Sequence, residues 1–177
     1  MTRYLFLAGV AAIAFGATAV ADEPSRAAEK EKEATKATFL ITGLHCPSCT
    51  RTVESSLSKV KGVRSIKVDW KTKNARVEFD EAVLPAQQVA RIIAETPHMM
   101  GSNMHYGGWL ALRVPDLKDD ATAKKTTDVL NKVDGVKQVV AYPAQHSVGI
   151  AFDAKGDLTS AQLIDVLSKA GIKAENL

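Results

Sequence analysis

The chain has only two cysteines, Cys46 and Cys49, and they are separated by two residues in the sequence Cys-Pro-Ser-Cys. An apolar, β-branched run precedes them at residues 37–42, and helically spaced apolar residues follow at 53–60. The pair is therefore predicted to lie in a turn between a strand and a helix. An i, i+3 spacing at a helix start puts both sulfurs on one side, where the positive end of the helix dipole favours thiolates. Two close thiolates can hold a soft metal ion such as Cu(I) or form a reversible disulfide.

The first 21 residues are typical of a secretory signal peptide. Arg3 is their only charged residue, residues 5–21 are mostly apolar, and Ala-Val-Ala at 19–21 matches the small-x-small pattern of a cleavage site. The alternative is an uncleaved membrane anchor, since the apolar stretch approaches the length that spans a bilayer. We expect a periplasmic or secreted protein without stable membrane insertion after signal cleavage.

The charge balance indicates no nucleic-acid partner and no strong attraction to membranes. The chain has 23 Lys and Arg against 20 Asp and Glu, and loss of Arg3 with the signal peptide takes the formal net charge from +3 to +2. Residues 22–36 alternate in charge and lack an apolar core pattern, which predicts a solvated tether. Globular sequence begins near Ala37.

The rest of the chain repeats one pattern at an offset of 73 residues. Val-Lys-Gly-Val at 60–63 corresponds to Val-Asp-Gly-Val at 133–136, and Val-Glu-Phe-Asp at 77–80 corresponds to Ile-Ala-Phe-Asp at 150–153. One added residue near 154–157 moves the offset to 74 for the last helix. The sequence therefore predicts a tandem duplication of a unit of about seventy residues.

Each copy predicts the element order β-α-β-β-α-β with a short last strand. The predicted strands are 37–42, 63–69, 74–79, 109–114, 136–142 and 147–152, and the predicted helices are 49–60, 85–95, 119–133 and 159–169. This order is the ferredoxin-like arrangement, an α+β fold in which an antiparallel sheet carries two helices on one face. Two tandem units of this kind are expected.

The element order and the sequence Gly-Leu-His-Cys-Pro-Ser-Cys at 43–49 resemble the heavy-metal-associated domain family. That family includes copper chaperones, the N-terminal modules of copper-transporting ATPases and the periplasmic mercury-binding protein. Its pattern is G-M-x-C-x-x-C; Gly43, Cys46 and Cys49 match it, while Leu44 replaces the Met as a buried packing residue. The resemblance implies that Cys46 and Cys49 bind metal.

The second copy departs from the family pattern where the metal would bind. Asp119 and Thr122 stand where the first copy has its cysteines, so this copy is expected to fold without binding a soft metal at that turn. Its expected role is structural or in partner recognition. The predicted divisions are a signal peptide at 1–21, a tether at 22–36, a metal-binding domain at 37–107 and a degenerate domain at 108–177.

A segment rich in His and Met follows the second helix of the first copy. Residues 98–105 hold three of the four methionines and two of the four histidines of the chain. His98 stands where the family places an aromatic or Lys side chain near the metal, which implies a position beside the cysteines and predicts a third ligand. The alternative is that Met99, Met100 and Met104 face the core from a last strand.

These patterns together predict a protein that sequesters Cu(I) or hands it to a metal-transport or metal-accepting protein. Hg(II), Zn(II) and Cd(II) are the alternative ions, because two thiolates alone do not discriminate among them. A thiol–disulfide oxidoreductase using Cys46 and Cys49 is the rival hypothesis, and a structural disulfide is a third. The β-α-β-β-α-β order differs from a thioredoxin fold, and the sequence has no other catalytic constellation, so we expect no enzyme.

Overall fold

The computed structural model of the protein describes residues 34–177. The predicted signal peptide and residues 22–33 of the predicted tether lie outside these residues. The strands are β1 (Thr35–Thr42), β2 (Val63–Asp69), β3 (Asn74–Phe79), β4 (Gly107–Arg113), β5 (Val136–Tyr142), β6 (Ser147–Phe152) and β7 (Glu175–Asn176). The helices are α1 (Pro47–Leu57), α2 (Ala86–Glu95), α3 (Asp120–Leu130) and α4 (Ser160–Lys169). Within the described part of the chain, no helix has the length and apolarity needed to cross a membrane.

The predicted α+β class is confirmed, and both hairpins, β2–β3 and β5–β6, have the predicted bounds. Their alternating β-branched residues and intervening turns are a strong local signal. The helices α1 and α3 end three residues earlier than predicted. Gly62 and Gly135, which follow these helix ends, have φ values of 101° and 90°, a conformation that suits glycine and that a helix cannot continue through.

The strands form a single sheet instead of the two sheets expected. Among the described residues the sheet has seven strands in the order β2-β3-β1-β4-β6-β5, with β7 also paired to β4. One edge of β4 pairs with β1 and the other with β6, each antiparallel. The first copy forms no last strand of its own, since residues 96–106 contain neither helix nor strand. The strand β4 therefore closes the first copy and opens the second, and the predicted division between residues 107 and 108 falls inside it.

Backbone contacts recur at the offset predicted for the duplication. The N–H of Ile41 donates to the carbonyl of Lys73 at 2.8 Å, and the N–H of Val114 donates to the carbonyl of His146 at 2.7 Å. The φ values of Lys73 and His146 are both positive, at 54° and 48°. These equivalent turns support a duplication, which stays a prediction.

The hydrophobic core lies on one face of the sheet and runs through both copies. Phe39 faces Leu110 across β1 and β4, and Leu110 faces Ile150 across β4 and β6; all three are fully buried. The helices α1 and α2 pack on each other, as do α3 and α4. Their core residues include Val53, Leu57, Val89, Ile93, Leu130, Leu163 and Leu167. Because the buried side chains form one cluster, the copies are joined by a common core as well as by a common strand.

Gln87 on α2 connects the first copy to the loop that precedes α4. Its Nε2 donates to the carbonyls of Asp153 and Lys155, and its Oε1 accepts from the N–H of Leu158, each at 3.0 Å. The side chain is buried, with 2% of its surface exposed. One side chain therefore satisfies three backbone groups of the other copy.

The substitution Gln87→Ala is expected to lower the free energy of unfolding by about 2–3 kcal/mol, because it removes three hydrogen bonds made by a buried side chain. The neighbouring Gln88→Ala removes one surface hydrogen bond to Asp157 and is expected to cost less than about 1 kcal/mol. Urea unfolding of both variants of the full chain measures the difference. Equal costs would show that the Gln87 contacts do not hold the copies together.

Candidate metal centre

The cysteines lie in the predicted turn between a strand and a helix, at the start of α1. Cys46 is the residue before the helix, with φ −149° and ψ 157°, and Pro47 takes the first helical position. Proline suits that position because its missing N–H would have no helical partner. The N–H of Cys49 donates to the carbonyl of Cys46 at 3.1 Å, which closes the first turn. Local backbone preferences therefore bring both sulfurs to the helix start.

The two sulfurs lie 2.7 Å apart and form no disulfide. Cys49 is fully buried, whereas Cys46 is half-buried and also lies 3.0 Å from the hydroxyl of Ser48. With metal–sulfur bonds of about 2.3 Å, as for zinc, the sulfurs of a bound ion stand about 3.8–4.6 Å apart. An ion bound by both sulfurs would therefore require them to move apart, and Cys46 is the less buried of the two.

Cys49 ionises more readily than an ordinary cysteine. Burial raises the pKa of its thiol, but interactions with the Cys46 thiol, the Tyr106 hydroxyl and the backbone of His45 and Cys46 outweigh burial and lower the pKa from 9.0 to about 7. The thiolate is the form that binds metal ions. Near neutral pH this site therefore has a substantial thiolate population before any ion arrives.

Tyr106 is a site residue that sequence reasoning missed. Its side chain is 2% exposed, and burial followed by the nearby Cys49 thiol raises the pKa of the phenol to about 12. The hydroxyl lies near enough to Cys49 to lower the pKa of that thiol, yet it makes no hydrogen bond of regular geometry within residues 34–177. A neutral O–H group is thus held against the buried sulfur. The sequence signal that could have identified Tyr106 is its position directly after the His- and Met-rich segment at 98–105.

His98 lies beside the cysteine turn as predicted, but both of its ring nitrogens are engaged. Its Nδ1 accepts from the N–H of Met100 at 3.1 Å and therefore has no proton, so Nε2–H donates to the carbonyl of Gly43 at 2.9 Å. The ring also contacts Tyr106, with centroids 4.5 Å apart, and lies 5.7 Å from the ring of His45. Ligation by His98 stays a prediction, and it requires one of these hydrogen bonds to break.

The methionine segment differs from the alternative in which its residues face the core. Met99 and Met100 are 58% and 61% exposed, and they lie in a turn instead of a strand. That alternative is therefore wrong for these two residues. The end of the segment packs on the turn that carries the cysteines, because a Cβ atom at Gly43 would lie 2.4 Å from the carbonyl oxygen of His105. Glycine suits this position because it has no Cβ atom to clash with His105 and because its φ of +81° is unfavourable for residues with a side chain.

The corresponding turn of the second copy is an ordinary helix start. Asp119 is the N-cap of α3, and its carboxylate accepts from the N–H of Thr122 at 2.7 Å. This hydrogen bond lowers the pKa of Asp119 below its usual value. In residues 34–177 no group of three or more His, Cys, Asp or Glu side chains is arranged to hold a metal ion. The candidate centre thus consists of two thiols with a tyrosine, histidines and methionines around them, a donor set that fits a soft ion of low coordination number.

Comparison with known proteins agrees with this kind of site. The sequence profile of the heavy-metal-associated domain matches residues 38–98. The copper chaperone CopZ of Enterococcus hirae is 33% identical over 60 residues, which cover 34% of this chain and 87% of CopZ. The mercuric transport protein periplasmic component of Serratia marcescens is 35% identical over 54 residues, 30% of this chain and 59% of that protein. The copper-transporting ATPase HMA5 of Oryza sativa subsp. japonica is 28% identical over 155 residues, 80% of this chain.

The antiparallel α+β sheet and the profile match together define the class as a small metal-binding domain. The chain belongs to the heavy-metal-associated domain family, with residues 38–98 as its heavy-metal-binding domain. It spans only 14% of the length of the copper-transporting ATPase that it matches. The predicted family is therefore confirmed, and the ion and the biological role are taken up below.

The thiolate absorbance of the reduced protein is expected to rise through a midpoint near pH 7, because an acid deprotonates above its pKa and the pKa of Cys49 is about 7. Tyr106→Phe removes one lowering interaction, so its midpoint is expected to move upward, towards the ordinary cysteine value of 9.0. Tyr142→Phe, in the second copy, is the control. A midpoint that Tyr106→Phe leaves unchanged would contradict this origin of the shift.

Proposed function

We propose that this protein is a periplasmic or secreted carrier that binds one Cu(I) through Cys46 and Cys49 and passes it to a metal-accepting protein. The observation that carries the proposal is the pair of free thiols at the start of α1, with the pKa of Cys49 lowered to about 7. Soft thiolates suit Cu(I), and a site of two sulfurs matches its low coordination number. The N-terminal 21 residues support a location outside the cytoplasm.

The surroundings of the thiols favour Cu(I) over the divalent ions. Zn(II) in proteins takes four ligands in a tetrahedron, as a rule, and the nearest buried imidazole, His98, has both nitrogens engaged. Cd(II) meets the same shortage of ligands. Hg(II) accepts two thiolates and is the main alternative, which the similarity to a mercuric transport component supports.

The unequal burial of the thiols gives transfer a direction. Cys46 is half-buried and Cys49 is buried, so an incoming thiolate of the partner reaches the ion on the Cys46 side. The partner's sulfur–metal bond forms as the Cys46–metal bond breaks, and Cys49 releases the ion last. No electron changes hands, so the ion keeps its charge throughout. A metal-transport protein with its own thiolates is the kind of partner that fits, and the proposed role is transport and not catalysis.

The thiol–disulfide oxidoreductase is the second candidate, and the closeness of the two sulfurs is the observation in its favour. Both roles need the thiolate of Cys49, but a disulfide uses up the two metal ligands. The family relatives, a copper chaperone and a mercuric transport component, favour the carrier. Thiol–disulfide exchange that continues at full rate with Cu(I) bound would favour the enzyme.

The double variant Cys46→Ser/Cys49→Ser is expected to lose tight binding of Cu(I), with affinity reduced by more than about 100-fold. Anaerobic titration of the reduced full chain against a competing Cu(I) ligand measures the affinity. Ser55→Ala, on the exposed face of α1, is the matched control and is expected to bind like the parent. Unchanged stoichiometric binding by the double serine variant would refute the proposed ligands.

Variants of His98 distinguish a ligand from a residue that positions the turn. His98→Gln keeps an N–H donor for the carbonyl of Gly43 but supplies no imidazole, whereas His98→Ala supplies neither. A positioning role predicts that the Ala variant loses about 10- to 100-fold in Cu(I) affinity, while the Gln variant retains most of it. If His98 is the third ligand, both variants lose affinity alike, and the copper X-ray absorption spectrum of the parent shows an imidazole.

A further inference from the structure

Met99 and Met100 form an exposed thioether pair at the tip of a turn beside the thiols. The N–H of Gly101 donates to the carbonyl of His98 at 3.4 Å, which makes the two methionines the central residues of that turn. Their side chains are 58% and 61% exposed. Packing does not explain them, since neither contributes to the hydrophobic core. Two adjacent soft sulfur donors are thus presented to solvent.

The turn is held in place by two contacts that lead to the metal-binding turn. The N–H of Met100 donates to His98, whose other nitrogen donates to the carbonyl of Gly43. On the other side, Tyr106 packs on the ring of His98, with centroids 4.5 Å apart, and its hydroxyl lies near the thiol of Cys49. The methionine turn is therefore fixed beside the cysteine turn, and the flexible methionine side chains can adjust to a bound ion.

Thioethers and thiolates bind soft ions under different conditions. A thiol must lose a proton before it binds, whereas a thioether is neutral and ready at any pH. Thioethers favour Cu(I) and similar soft ions over ions that prefer oxygen. Without a negative charge, an exposed thioether pair binds more weakly than two thiolates, which suits an ion that must move on.

We propose that the Met99–Met100 turn is a second, weaker binding site for a soft monovalent cation, from which the ion passes to Cys46 and Cys49. The transfer breaks the thioether–metal bonds as the thiolate–metal bonds form, and a thiol that is still protonated releases its proton to water. The ion keeps its oxidation state. Only the onward passage rests on the proposed carrier function, since the thioether site itself does not need the cysteines.

The test uses Ag(I), a redox-inert monovalent soft ion, and the full chain labelled at its methionine methyl groups. In Cys46→Ser/Cys49→Ser, NMR is expected to show the methyl signals of Met99 and Met100 shifting together and saturating at one ion, with Met104 little changed. Adding Met99→Leu/Met100→Leu is expected to abolish that uptake, because Leu keeps the size and removes the sulfur. Equal Ag(I) binding with and without these methionines would overturn the proposal.

A second variant controls for exposed methionines in general. Val83 is 48% exposed and follows β3, whose end pairs with the start of β1, away from the cysteines. In Val83→Met, added to the double serine variant, the new methyl signal is expected to stay in place while Met99 and Met100 shift. A parallel shift of the new methyl signal would show that exposed methionines bind Ag(I) nonspecifically, and it would overturn the proposal. The carrier proposal fails separately, if the parent binds Ag(I) no more tightly than the double serine variant.

Discussion

Two hydrogen bonds of one imidazole join the segments from which the candidate metal centre is built. His98 donates to the carbonyl of Gly43 and accepts from the N–H of Met100. One ring nitrogen donates and the other accepts, so these partners select the tautomer with the proton on Nε2. The ring is almost completely buried, and it packs on Tyr106, which in turn reaches the thiol of Cys49. The loop that carries His98 and Tyr106 therefore packs against the cysteine turn and stabilises it.

The second copy contributes to the site through the strand it shares with the first. Tyr106 directly precedes β4, which is paired with β1 on one side and with β6 on the other. A strand paired on both edges is restrained more than an edge strand and exposes no unpaired backbone groups there. The loop that carries His98 and Tyr106 is thus anchored at its end by both halves of the sheet. In this way the cysteine-free half of the sheet supports the candidate metal centre.

The sequence predicted what depends on local pattern and missed what depends on distant contacts. The CxxC turn and the two hairpins follow from short-range signals: residue alternation, turn residues and a proline at a helix start. Local pattern did not predict that both copies share β4, because the sequence of each copy considered alone predicts a last strand of its own. His98 was placed correctly beside the turn by family resemblance. Its hydrogen bonds and the role of Tyr106 depend on the path of an irregular loop, which periodicity does not encode.

X-ray absorption spectroscopy of the reduced full chain loaded with one equivalent of Cu(I) tests the central claim most directly. Two thiolates of Cys46 and Cys49, with His98 kept in its hydrogen bonds, predict a copper environment of sulfur neighbours alone and of low coordination number. The same spectrum is expected from His98→Gln, because the substitution leaves the sulfur ligands in place. A nitrogen neighbour that disappears in His98→Gln, or a copper site without two sulfurs, would contradict the account.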